Sequence, residues 1–297
     1  MKYLILLLGL LIVIGCENGT TFPGGGSGGL PSGFSGSPGG VEISFLQLQP
    51  PSEIREDQDF TVGLEIENKG QCAAIGQICV RDTLSGIYGG LNDQCQELNL
   101  EEAEEIGGKA KFDKQTFYFS SPSYTNIDRE IQTSIIAKAF YECKFTAGPQ
   151  LCIKPVVGED EDLCNSMETI SGAKIGANIA PITVTQVEKQ LIPEQNGLRL
   201  VTLITLSKMN KGLPVSQDDV EGSPVGVSVS YGGYGELDCR DVERAVYLWE
   251  GDGNDQVIQC EKSLGSIEFE ENLLDIKLNY GYEVSENVPI TISDKDR

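Results

Sequence analysis

A period-two run that stops at a turn, and then occurs a second time, constrains this chain more than any other feature. Phe60-Thr61-Val62-Gly63-Leu64-Glu65-Ile66-Glu67 alternates between apolar and polar and stops at Asn68-Lys69-Gly70. Alternation puts successive side chains on opposite faces of an extended strand, and Asn-Lys-Gly is turn chemistry. Further on, Leu200-Val201-Thr202-Leu203-Ile204-Thr205-Leu206 ends at Asn210-Lys211-Gly212. A shorter strand precedes each run: Val41-Glu42-Ile43-Ser44-Phe45-Leu46 before Pro50-Pro51, and Ile182-Thr183-Val184-Thr185 before Pro193. The ends match as well. Residues 135–143 stand beside 274–282, and a turn and a final strand are expected after each, at 151–153 and at 288–292. Matching starts and ends predict a duplicated unit, with a boundary near 177–181.

Short strands at close spacing with almost no helical period point to an all-β chain of two antiparallel sandwiches. Glu101-Glu102-Ala103-Glu104-Glu105 is the exception and reads as one exposed helical turn. Val246-Tyr247-Leu248-Trp249 reads as a strand with Trp249 packed inward, since an aromatic residue in an alternating strand usually faces a core.

The amino terminus places the protein. Lys2 and the apolar run 3–14 form an export signal too short to span a bilayer. Val13-Ile14-Gly15-Cys16 resembles the lipobox that ends a lipoprotein signal peptide, with residues 1–15 removed and Cys16 lipidated. Gly, Ser and Pro dominate residues 16–40, which show no apolar period: a disordered tether whose stretch 17–40 reaches about 25–30 Å by flexible-chain scaling. Asn18-Gly19-Thr20 is a glycosylation sequon at Asn18. The folded units are then 41–180 and 181–297.

Charge and composition narrow the chemistry. Basic residues number 22 against 45 acidic, a net charge of −23. That balance repels phosphate backbones, so nucleic acid is not a partner. Histidine is absent, which removes Ser-His-Asp and Cys-His nucleophiles and His-ligated zinc. The glycines at 24–29 and Gly107-Gly108-Lys109 lack the G-K-[ST] context of a phosphate cradle. No cofactor is expected. Oxygen-ligated calcium is conceivable at Glu159-Asp160-Glu161-Asp162 and at Asp252, Asn254 and Asp255. The second run departs from the EF-hand pattern, and both read as solvated acidic turns.

Tyr141-x-Cys143 and Tyr280-x-Tyr282 lie where an immunoglobulin fold carries the tyrosine of its sixth strand. With Cys152-Ile153-Lys154-Pro155…Cys164, the opening strands over 181–211 and Tyr280-Gly281-Tyr282, the chain resembles the tandem immunoglobulin-like, CARDB-like surface lipoproteins of small archaea and bacteria. The resemblance covers about 41–297, implies architecture and implies no catalytic motif.

Nine cysteines leave eight for disulfides once Cys16 is lipidated. Cys239 and Cys260 are alone in the second unit. In the first, Cys79 with Cys95 and Cys152 with Cys164 are local pairs, and the sandwich geometry brings Cys72 to Cys143. A Cys143–Cys152 bridge across the expected 146–149 turn is the competing arrangement. The functional expectation is a non-enzymatic envelope protein on the extracellular face of the membrane, meeting a protein or glycan partner in adhesion or assembly. A small-ligand or cation carrier and a carboxylate-based glycoside hydrolase are the alternatives.

Overall fold

In the computed structural model the described residues are 39–154, 164–215, 225–240, 255–267 and 269–294. They are almost entirely β, with one short helix, α1 (Ser85–Tyr88). The first half contains β1 (Val41–Phe45), β2 (Glu53–Arg55), β3 (Phe60–Asn68), β4 (Ala74–Asp82), β5 (Gln94–Leu100), β6 (Glu104–Ile106), β7 (Lys109–Lys111), β8 (Asp113–Ser121), β9 (Ile131–Ala147), β10 (Gln150–Ile153) and β11 (Met167–Ser171). The second contains β12 (Ile182–Glu194), β13 (Gly197–Lys208), β14 (Leu213–Val215), β15 (Gly226–Tyr231), β16 (Gly235–Glu236), β17 (Asp238–Arg240), β18 (Asp255–Gly265) and β19 (Glu270–Ser293).

Three sheets carry the core. The first is β1-β3-β8, and the second is β11-β12-β13-β18-β17. The third has nine strands, ordered β16-β15-β19-β9-β4-β5, with β2, β10 and β14 also paired to β19. Its centre is the antiparallel pair of β9 and β19, in register from Ile131↔Ile292 to Ala147↔Ile276. Along β9 alternate residues are buried, among them Ile135, Ala137, Ala139, Tyr141, Cys143 and Phe145. That alternation makes one face of the sheet a core face.

The register relates the halves by an approximate two-fold axis. Tyr141 faces Tyr282 and Cys143 faces Tyr280, so the axis passes through the pair Glu142↔Gly281. At Gly281 a Cβ would lie 2.6 Å from the Val215 carbonyl oxygen, so only glycine lets β14 approach there. β4 lies on β9 as β14 and β15 lie on β19.

Four expectations change. The halves 41–180 and 181–297 share the central sheet and one hydrophobic cluster, side by side, because β9 and β19 pair with each other. No turn separates 274–282 from 288–292: β19 runs through both, since Glu283-Val284-Ser285-Glu286-Asn287 contains neither Gly nor Pro and faces β9 throughout. Gly148-Pro149 is not a hairpin turn either. β10 stays in the register of β9 along β19, from Gln150↔Leu273 to Ile153↔Glu270, and the Leu274 N–H donates to the Pro149 oxygen at 2.9 Å. Finally, Glu104 and Glu105 belong to the β6–β7 hairpin and not to a helical turn. Gly107 and Gly108 close that hairpin with φ of 60° and 77°, as a tight two-residue turn requires.

The edge of β8 is covered without a strand partner. Gln94 and Gln96 of β5 donate side-chain N–H groups to the Ser120 and Tyr118 carbonyls at 2.9 and 2.8 Å. Those carbonyls are thereby withdrawn from edge-to-edge pairing.

Candidate functional site

Every cysteine after Cys16 is in a disulfide. Cys72–Cys143 ties the loop after β3 to β9, with Cα atoms 5.4 Å apart. Cys152–Cys164 leaves β10. Cys79–Cys95 and Cys239–Cys260 each join directly facing residues of neighbouring strands, β4–β5 and β17–β18. Cys16, Asn18, Trp249, Asp252, Asn254 and the 159–162 cluster lie outside the described residues. Asp255 opens β18, and its carboxylate accepts the Ser207 hydroxyl at 2.6 Å, an anchor between β13 and β18. Among the described residues no three His, Cys, Asp or Glu side chains converge to hold a metal ion.

The tyrosines near the two-fold axis brace the opening strands. The Val41 N–H donates to the Tyr141 hydroxyl at 3.2 Å, and the Ile182 N–H donates to the Tyr280 hydroxyl at 3.0 Å. The Tyr282 hydroxyl donates to Asn210 Oδ1, which also accepts the Gly212 N–H at 3.0 Å. Asn68 Oδ1 accepts the Gly70 N–H at the same distance, so both Asn-Lys-Gly turns close through their asparagines. Burial pushes all three phenols above the ordinary tyrosine range.

Two buried polar centres are absent from the sequence reading. Asp82, at the end of β4, is buried and accepts three hydrogen bonds: from the Tyr124 hydroxyl (2.5 Å), the Thr133 hydroxyl (2.9 Å) and the Leu84 N–H (3.0 Å). Burial, then the hydrogen bond to Asp82 and its charge, push the Tyr124 phenol up. Lys189 of β12 is the other. Its side chain is fully buried, and Nζ donates to the Cys152 oxygen at 2.8 Å and to Glu168 at 3.0 Å. The signal for both was available: Asp82 follows Ile78 and Val80 on the inward register, and Lys189 lies between Val187 and Leu191. A charged residue on a core face implies a built partner set. The Asp82 set is buried and ties β4 to β9 and the segment before it, whereas the Lys189 set reaches the surface through the part-exposed Glu168 carboxylate and ties β12 to β10 and β11.

The outer face of the β11-β12-β13-β18-β17 sheet is different. Here the twisted strands enclose an open depression of about 350 Å³. Ile192, Val201 and Leu203 give it apolar surface. Around them stand Arg199 and Arg240, both paired with Glu261, with Arg199 also 3.2 Å from Glu194. The chain has only seven arginines, and two of them stand here. Planar guanidinium groups beside apolar surface offer stacking faces and forked N–H donors.

No protein-family profile matches the chain, and no curated protein matches it. Among solved structures, Escherichia coli alpha-2-macroglobulin activated by porcine elastase aligns at 9% identity, over 86% of this chain and 32% of that one. The chain thus spans about a third of that protein, and at a TM-score of 0.11 the likeness carries no argument.

Proposed function

We propose that this is a non-enzymatic lipoprotein, anchored through Cys16 to the extracellular face of the cell membrane. Its two immunoglobulin-like halves serve adhesion or envelope assembly by holding a protein or glycan partner. The observation that carries the contact role is the depression on the outer face of the five-stranded sheet, with Arg199, Arg240 and Glu261 around Val201 and Leu203. Four disulfides in a chain of this size agree with an oxidising, exported setting. The immunoglobulin-like reading of each half is supported by its opening strands and by Tyr141 and Tyr280, whose hydroxyls bind the first strand residue of their own half.

The test is recovery of envelope material on the immobilised protein. A Leu203→Arg, Arg240→Glu double variant that keeps its melting temperature is expected to lose at least tenfold of what the wild type recovers. Equal recovery by both proteins, or none by either, defeats the reading. Cys16→Ser separately checks the anchor: the variant is expected in the soluble fraction, and its retention on membranes removes the lipid assignment.

A further inference from the structure

We propose that the open edge of β19 at Ser285–Pro289 is a strand-acceptor slot, and that the chain's own residues 34–37 are its occupant. The inference is independent of the contact role above.

The slot is defined by what β19 lacks. On its side away from β9, β14 covers Gly281–Glu283 and β2 covers Thr291–Ser293. Between them no partner strand is present among the described residues. The Thr291 N–H donates outward to Ser52, so the odd-numbered residues Ser285, Asn287 and Pro289 also turn their backbone groups outward. Pro289, which has no N–H, sits on that unpaired side. Ser285, Glu286 and Asn287 are exposed. Beside them runs a groove of about 660 Å³, whose apolar lining is Val41, Ile43, Met209 and Val284.

The two-fold axis supplies the template. Ser285 and Asn287 correspond to Thr146 and Gly148 of β9, and there the slot is filled. The Asn178 N–H donates to the Thr146 oxygen at 3.3 Å, and the Gly148 N–H donates to the Ile175 oxygen at 3.0 Å. The filling segment leads directly into Ile182, and the buried Ile175 anchors it. Val41 corresponds to Ile182, since each binds the matching tyrosine. Counting back the same number of residues from Val41 places Phe34 opposite Ile175 and Ser37 opposite Asn178. Phe34-Ser35-Gly36-Ser37 repeats the pattern of Ile175-Gly176-Ala177-Asn178: one large apolar residue, two small ones and a short polar one. The chain also arrives at the right place. The Gly39 oxygen accepts Asn210 Nδ2 at 2.9 Å, and a Cβ on Gly39 would lie 2.7 Å from the Ala180 backbone, so the two lead-in segments meet at the axis. The proposed bonds are Ser37 N–H to the Ser285 oxygen and Asn287 N–H to the Phe34 oxygen.

Amide hydrogen exchange on the full chain in detergent tests this. The Asn287 and Ser37 amides are expected to be protected, with Gly148 as the internal reference. Phe34→Asp, and independently Ser37→Pro, should speed exchange at Asn287 at least tenfold and leave Gly148 unchanged. Free exchange at Asn287 in the wild type overturns the proposal, as does protection that survives both variants. Protection that grows with protein concentration assigns the slot to a second copy and equally overturns it.

Discussion

The two halves use one frame and fasten it differently. Cys143 and Tyr282 occupy matching places beside the two-fold axis. In the first half Cys143 is bonded to Cys72, just past the Asn68 turn. In the second, Tyr282 reaches the equivalent turn through a hydrogen bond to Asn210. A second pair of matching places is Asp82, facing Ile135, and Tyr231, facing Leu274. The first is a buried carboxylate with three donors. The second is a buried phenol stacked on Tyr234 at 6.0 Å, with its hydroxyl donating to the Leu151 oxygen at 3.3 Å. At these two matching places the first half is thus held by a covalent bridge and a charge, the second by aromatic packing and neutral hydrogen bonds. The matching places share the need for a fastener, not its chemistry.

The largest effect should come from removing the covalent fastener. Replacing Cys72 and Cys143 together by Ala opens a loop with a separation of 71 residues. The chain-entropy model gives a loss of about 4 kcal/mol, read as a lower denaturation midpoint. A loss no greater than that of Tyr282→Phe would erase the contrast between the halves.

Next is Asp82→Ala, which strands the Tyr124 hydroxyl and the Leu84 N–H, while the Thr133 hydroxyl keeps the Thr83 hydroxyl at 2.8 Å. Buried groups left unpaired make a loss of about 3 kcal/mol the expectation. Adding Tyr124→Phe should recover part of it, because one stranded donor disappears. Strictly additive losses would show that the carboxylate and the phenol do not act together.

Alkaline titration separates the halves by their phenols. Tyr231, Tyr280 and Tyr282 in the second half, and Tyr124 and Tyr141 in the first, are held above the ordinary value near 10, chiefly by burial. Above pH ~10 the unfolded chain releases these protons while the fold retains them. Stability is therefore intact below that pH and falls above it, by up to about 1.4 kcal/mol per pH unit for each such tyrosine. Tyr280→Phe should flatten the fall by one tyrosine's share, seen in denaturation midpoints from pH 9 to pH ~11.5. An unchanged slope would mean that this phenol ionises in place.

The smallest effect is Tyr282→Phe at neutral pH. Asn210 Oδ1 keeps the Gly212 N–H, so no acceptor is stranded, and the expected loss is about 1 kcal/mol by chemical denaturation. A loss near that of the disulfide pair would make the two fasteners equivalent in strength.

Much of this was legible along the chain. Alternation over Phe60–Asn68 and over residues 200–206 marked strands, because which face a side chain takes depends on its nearest neighbours. The paired Asn-Lys-Gly turns were legible for the same reason, as asparagine closes the turn on the glycine two residues later. Matching ends placed residues 135–143 and 274–282 as equivalent stretches, which face each other in β9 and β19, and charged residues on inward registers, Asp82 and Lys189, could have disclosed the buried centres. What the sequence left open was how the halves meet. Gly148-Pro149 has the composition of a hairpin turn, yet the chain continues along β19, whose pairing holds it extended. Residues 283–287 looked like a break and lie within a 24-residue strand. Local chemistry by itself determined strands, turns and their repetition. Only the tertiary structure decided that β9 and β19 choose each other, because a strand edge accepts any partner in register and that choice depends on residues far away in the chain.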